Sequence, residues 1–283
     1  MLQYSDTPIL QVMASDHAQS AVRFGLRLEG SRGVAMKVIF HEDFYQVYTS
    51  DPAAAAGRLE AVVAVIAPEV EFLTSEPASL EDIASVHTEA LIETIKGQGL
   101  FPIAALAAGG AIQTATLGLT EPCFGLVRPP GHHASSGSCW GFCYFNNMAI
   151  ALARLKRLGK IHSAYVLDID LHFGDGTVNI LEDKAWVTVH NVTSHTREVY
   201  MREVAEEMER CQADIIGISA GFDNHEEDWG GTLTTDDYKE IGRTVRAAAE
   251  RCNGGCFGIL EGGYNHKVLG HNVLALIKGL SGR

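Results

Sequence analysis

The chain lacks the marks of a membrane span, a secretory leader or a disulfide scaffold. No apolar run reaches the roughly 20 residues a spanning helix needs. The N-terminus has no basic stretch leading into an apolar one, so no signal peptide is expected. Only six cysteines occur in 283 residues, none in a Cys-x-x-Cys pair, which points to a reduced, cytoplasmic compartment. Basic residues are also scarce: 22 Lys and Arg against 35 Asp and Glu give a net charge of −13. That balance argues against duplex nucleic acid as a direct ligand and suits a cationic substrate. No internal repeat, linker or low-complexity segment interrupts the chain.

What is present is a repeated alternation of apolar strand, turn and amphipathic helix. With 46% hydrophobic residues, the chain can bury one sizeable core. Strands are expected at Val38–Phe40, Cys123–Val127, Ala164–Asp170, Val187–His190, Ile215–Ala220 and Cys256–Leu260. Helices are expected at Ala53–Ile66, Thr88–Lys96, Ile103–Leu117, Asn146–Leu158, Arg197–Cys211, Asp236–Arg251 and Val268–Lys278. Ser79 and Asp82 have the spacing of a capping box ahead of a further short helix. Several strands are apolar on both faces, as in a parallel sheet covered by helices, so the pattern is a single α/β domain. Residues 1–35 fit it less well. They read as an N-terminal extension, a displaced start or an added helix ahead of a catalytic domain over 36–283.

Polar residues cluster where the strands end. The stretch "LDIDLHFGDG" carries Asp168, Asp170 and His172 at alternate positions, which would share one strand face. Two carboxylates beside an imidazole need a positive partner. Asp223 follows another strand in "SAGFDNHEEDWGG", and Tyr264 follows a third in "ILEGGYN". Adjacent His132 and His133 follow a fourth in "RPPGHHA". An open parallel sheet binds ligands beyond the carboxyl ends of its strands.

Asp170, His172 and Asp223 make a mixed N/O set with room for an open position, which suits a catalytic zinc. The ion would supply the missing positive charge and acidify a water. His132 and His133 would serve as base and acid, with Asp168 and Asp175 orienting them. Tyr264, on a Gly-Gly turn, would stabilise an oxyanion. Cys143 reads as a liner, and His17, His41, His162, His195 and His271 as ordinary surface or core residues. His87 and His190 read as buried and hydrogen-bonded.

Together these motifs, with "GFCYFNNMAIA" and "VLDIDLHFGDGT", resemble the zinc-dependent histone deacetylase family in its bacterial and archaeal, class II-like branch. The resemblance runs from about Met36 to near the C-terminus. It implies the three-layer arginase–deacetylase fold, with a central, mostly parallel sheet between helices. It also implies a zinc amidohydrolase that removes acetyl or other acyl groups from lysine side chains or small amines. By motif, Asp170, His172 and Asp223 would hold Zn²⁺. His132, His133, Tyr264, Asp168 and Asp175 would be catalytic, and Gly141 and Phe142 would line the acyl-lysine tunnel. Arg58, in "DPAAAAGRLEAV", would face an internal acetate channel. Relatives also hold K⁺ beside the first ligand strand, where Asp168 and Thr188 would match.

The sequence departs from the pattern at three places. Phe173 stands where many relatives have a second His. Trp229 and Gly230 replace Pro-Leu, and Trp229 would line the substrate site. The stretch between "VTVHN" and "IIGISAGFD" lacks the long loop that forms one tunnel wall in relatives. Two further readings compete: an arginase-like dinuclear hydrolase, which needs more bridging carboxylates, and a silent acyl-lysine binder, which would lack the tyrosine or tandem histidines. Protein lysine and acetylpolyamine both stay open as substrates, as does assembly into a homo-oligomer.

Overall fold

All six of the apolar runs named above become consecutive neighbours in one sheet. The structure is a computed structural model and describes residues 35–283; all but the last residue of the expected 1–35 extension lies outside it. In chain order the elements are β1 (Met36–Phe40), α1 (Arg58–Ile66), β2 (Val70–Thr74), α2 (Leu80–Ala84), α3 (Glu89–Gly97), α4 (Phe101–Gly118), β3 (Cys123–Gly125) and α5 (Asn147–Arg157). They continue as β4 (Ala164–Asp168), α6 (Asp175–Leu181), β5 (Val187–Asn191), α7 (Arg197–Arg210), β6 (Ile215–Ala220), α8 (Thr235–Arg251), β7 (Gly255–Leu260) and α9 (Leu269–Ser281).

The sheet has seven strands in the order β2-β1-β3-β7-β6-β4-β5, and every pairing is parallel. Parallel neighbours need crossovers, and helices supply them. The helices pack in two groups, α1 with α7, α8 and α9, and α2 through α6. β4, β6 and β7 are buried at every residue, which requires cover on both faces. This is a three-layer α/β fold, as the resemblance implied. Because all strands run one way, the ends of β3, β7, β6 and β4 open on the same edge. The register ties Gly125, Ile259, Ser219, Asp168 and Asn191 into one row across the sheet.

Several local expectations change. β2 was not expected: "VEFLT" is a half-exposed edge strand whose only partner among the described residues is β1, so no continuous apolar run announces it. The helix expected over Ala53–Ile66 is broken by Gly57 at φ 83°, leaving a short 3-10 turn and then α1. α6 was also missed, since "GDG" reads as a turn and hides a helix that starts at Asp175. Ser79 does cap α2, its hydroxyl accepting the Asp82 N–H. α4 corrects the view that no run is apolar enough for a span: its 18 residues have a mean hydropathy of 1.2. Two-thirds of that helix (67%) is buried inside the fold, as suits a core helix.

β4 stops at Asp168, not at Asp170. The Asp170 N–H donates to Asp168 Oδ1 at 3.1 Å, and the His172 N–H donates to Asp170 Oδ1 at 3.0 Å. Such side-chain bonds two residues on compete with the strand ladder and turn the chain. The metal-type residues therefore sit on a tight loop beyond the strand, not on one strand face.

Candidate active site

Asp168, Asp170, Asp223 and Glu261 are four buried carboxylates gathered at the ends of β4, β6 and β7. Asp170 Oδ2 accepts the Gly262 N–H at 2.8 Å, and Asp223 Oδ1 accepts the Leu171 N–H at 3.0 Å. His172 Nδ1 lies 3.3 Å from Asp170 Oδ1 and 3.2 Å from Asp223 Oδ2. Asp223 Oδ2 is buried and, among the described residues, makes no hydrogen bond. The ligating atoms of these three residues all lie within 4.8 Å of one another. An orphaned carboxylate oxygen, a second carboxylate and a ring nitrogen facing one point are what a divalent cation needs, so the donor set fits zinc.

The electrostatics carry the same message. Burial and the charge of Asp170 push Asp223 up to about 6. Burial also opposes ionisation of Asp170, but neighbouring His132 and the donors from His172 and Gly262 outweigh it and hold its carboxyl low. The bond to Asp170 and the nearby Asp223 carboxylate raise His172 to about 10.

The tandem histidines come from the loop after β3. His132 Nδ1 donates to Asp168 Oδ2 at 3.1 Å, and His133 Nδ1 donates to Asp175 Oδ1 at 2.7 Å. Their rings stand 4.0 Å apart. Burial alone would lower His132, but Asp170 and Asp168 more than compensate and raise it. Burial and the neighbouring His132 charge lower His133 to about 4. Two adjacent imidazoles are thereby driven in opposite directions, the separation an acid–base pair requires.

Tyr264 is half-buried, and its hydroxyl is raised by burial and by the charge of Asp170. Gly262 serves this loop by having no side chain. A Cβ there would stand 2.6 Å from Asp170 Oδ2 and 2.7 Å from Asp223 Oδ2. The site closes around a missing side chain. Arg58, at the start of α1, is fully buried and donates to the carbonyls of Gly263 at 2.8 Å and Glu261 at 2.6 Å. Its guanidinium carbon lies 5.4 Å from the Tyr264 ring centroid.

Gly141 and Phe142 lie in a turn closed by Cys143 N–H donating to the Trp140 carbonyl at 3.0 Å. Both central residues have positive φ, 57° and 66°. That is strained for phenylalanine. A Cβ on Gly141 would meet His133 Cδ2 at 2.3 Å, so the turn tolerates nothing larger there. Phe142 packs edge-on to Tyr264 with centroids 6.0 Å apart. Trp229 is 53% exposed, so it is not a core residue beneath the loop. Its indole stacks on Tyr264 instead.

One expected position moves. Thr188 is exposed and pairs with Tyr165, three residues before Asp168 on β4. Asn191 is the residue opposite Asp168, and its side-chain oxygen accepts the Gly174 N–H at 2.7 Å. Thr188 therefore cannot join Asp168 around a monovalent cation. His190 is also only half-buried, bonded to Glu203 at 2.9 Å.

Two residues with structural parts here were missed. Glu261 Oε2 accepts the N–H groups of Gly131 at 2.6 Å and His132 at 3.2 Å, fixing the histidine loop from β7. An acidic residue closing an apolar strand was the available signal. Trp140 lies on His133, and only a strained turn brings it there. Cys143 is buried, which pushes its thiol well up and keeps it neutral beside this site.

The histone deacetylase domain model matches this chain in two pieces, residues 94–200 and 189–280. A probable deacetylase of Archaeoglobus fulgidus is 32% identical over 315 aligned residues, covering 87% of this chain and 86% of that protein. The chain belongs to the histone deacetylase family. Membership makes it a deacetylase-type hydrolase. An acetylpolyamine amidohydrolase of Mycoplana ramosa is 28% identical over 197 residues, covering 56% of each protein. A crystal structure of the HDA15 HD domain superposes with a TM-score of 0.76 at 23% identity, covering 88% of this chain and 90% of that one, so the histone deacetylase fold is shared. The two matched pieces meet at 189–200, where the sequence is short. The alignment to the archaeal relative, at 315 positions, is likewise longer than the 283-residue chain.

Proposed function

We propose that this protein is a zinc-dependent deacylase that hydrolyses the amide of an acylated lysine or small amine. The observation that carries the reading is the convergence of Asp170, His172 and Asp223, with one buried carboxylate oxygen unpartnered, beside two His–Asp pairs. Bound zinc would supply Lewis acidity and a more acidic water. The chain's own groups do the rest. His132, buried and held by Asp168, keeps a proton and a positive charge beside the carboxylates. His133, lowered to about 4, is free at neutral pH to take a proton at Nε2 while Nδ1 stays on Asp175. It can return that proton to the departing amine. Tyr264, kept protonated by burial, offers its hydroxyl to the developing oxyanion. Arg58 holds the Tyr264 loop by its carbonyls and sets a positive charge beneath the ring; an acetate product would pass on that side.

Phe142 and Trp229 flank Tyr264 and would form the walls around the acyl-amine. The net charge of −13 favours a cationic amine substrate. The names of the relatives, deacetylases and an acetylpolyamine amidohydrolase, support both lysine and polyamine as carriers of the acyl group. Six free thiols support a reducing, cytoplasmic setting. A screen of acyl-lysine peptides and acylpolyamines, with metal analysis of the same sample, tests the proposal. Release of free amine by zinc-loaded protein is expected. No turnover of either class would refute it.

A further inference from the structure

Trp140 has no part in the mechanism above, yet it touches both members of one His–Asp pair. Its indole lies on the His133 ring with centroids 3.9 Å apart and planes inclined by 32°. Its Nε1–H donates to Asp175 Oδ2 at 2.8 Å, while Asp175 Oδ1 receives the His133 Nδ1–H at 2.7 Å. Each carboxylate oxygen thus has one dedicated donor.

We infer that Trp140 is a positioning residue for His133, acting through Asp175; the inference rests on the deacylase reading. The need for such a residue follows from exposure. The His133 side chain is only 4% exposed, but the Asp175 side chain is 44% exposed. A carboxylate at the surface, on the first residue of α6, would rotate and exchange its bond for water. The indole N–H fixes the second oxygen, so the first stays aimed at His133. The indole face then covers the imidazole and fixes its plane. Trp140 can do this because the Gly141–Phe142 turn has positive φ at both residues, which folds the chain back over the site. The one turn sends Trp140 to His133 and Phe142 to Tyr264. A strained turn retained beside catalytic groups is where stored backbone energy is expected to serve function.

The test compares zinc-loaded wild type with Trp140→Phe, Asp175→Asn and the double variant, on an acyl-lysine peptide the wild type hydrolyses. Trp140→Phe keeps a ring over His133 and removes the donor. It should lower kcat roughly ten- to a hundredfold, the range for one bond to a charged group, with KM, melting temperature and zinc content held. In the Asp175→Asn background the same substitution should cost less than about twofold, because the carboxylate it positions is gone. Losses that simply multiply, or a raised KM with kcat intact, would overturn the inference. A readout independent of turnover is the indole N–H proton resonance. The chain has three tryptophans, so the Trp140 signal is the one lost in Trp140→Phe. It should move in Asp175→Asn; a signal that stays in place means no such bond exists. Wild type that hydrolyses no acyl-amine would refute the deacylase reading and leave the resonance test standing.

Discussion

The indole of Trp229 lies flat on the ring of Tyr264, with centroids 4.0 Å apart and planes 23° apart. The same indole stands edge-on to His172, with centroids 6.0 Å apart. One exposed side chain therefore borders both the tyrosine and the metal-type histidine.

Trp229→Ala is expected to raise KM for an acetylated substrate more than it lowers kcat, because a wall residue binds ground and transition states alike. Its exposure predicts a small stability change, within about 0.5 kcal/mol. Steady-state kinetics and a melting curve on this one variant check both. An unchanged KM removes Trp229 from the substrate wall.

Tyr264→Phe removes one oxyanion donor and is expected to cost on the order of 10²–10³ in rate. Zinc content should not change, since the tyrosine is not among the converging ligands. A rate within a few-fold of wild type contradicts the assigned role.

Gly262→Ala is expected to empty the metal site. The new methyl would press on Asp170 and Asp223 together, at separations real Cβ atoms do not show. Elemental analysis of the purified variant should find far less than one zinc per chain. A full complement of metal would show that the two carboxylates are not held where the structure has them.

His87 predicts a pH dependence of stability. Its Nε2 accepts the Asn146 N–H at 2.9 Å and its Nδ1 donates to the Ser135 carbonyl at 3.0 Å, so the native ring is neutral. Burial lowers it to about 4 from 6.5. Between those values the unfolded chain binds a proton that the native chain lacks. Stability therefore rises with pH through the window and falls on acidification, by up to about 3 kcal/mol in total. Urea unfolding at pH 7.5 and pH 5 should show this loss in wild type and a smaller one in His87→Gln. Equal losses contradict it.

Legibility in the sequence tracked how local each feature is. β6 was readable to the residue because a six-residue run with four apolar side chains stands between Asp214 and Gly221. The zinc-type triad was readable because His172 is only two residues from Asp170, and Asp223 lies three beyond the end of β6. The geometry that joins them was not: the loop at Asp170 depends on side-chain bonds that outcompete a strand. That Asn191, not Thr188, stands opposite Asp168 was not readable, because parallel register is fixed by tertiary packing between β4 and β5. Trp140 stayed hidden because nothing in "SCWGFC" announces positive φ at a phenylalanine. β2 stayed hidden because an edge strand needs its partner to be a strand at all.

The most direct test of the account is zinc removal and return on one sample, read as amide hydrolysis beside bound metal per chain. The account predicts that chelation abolishes hydrolysis, that one zinc per chain restores it, and that Asp170→Ala cannot be restored. Full hydrolysis by metal-free protein would contradict it.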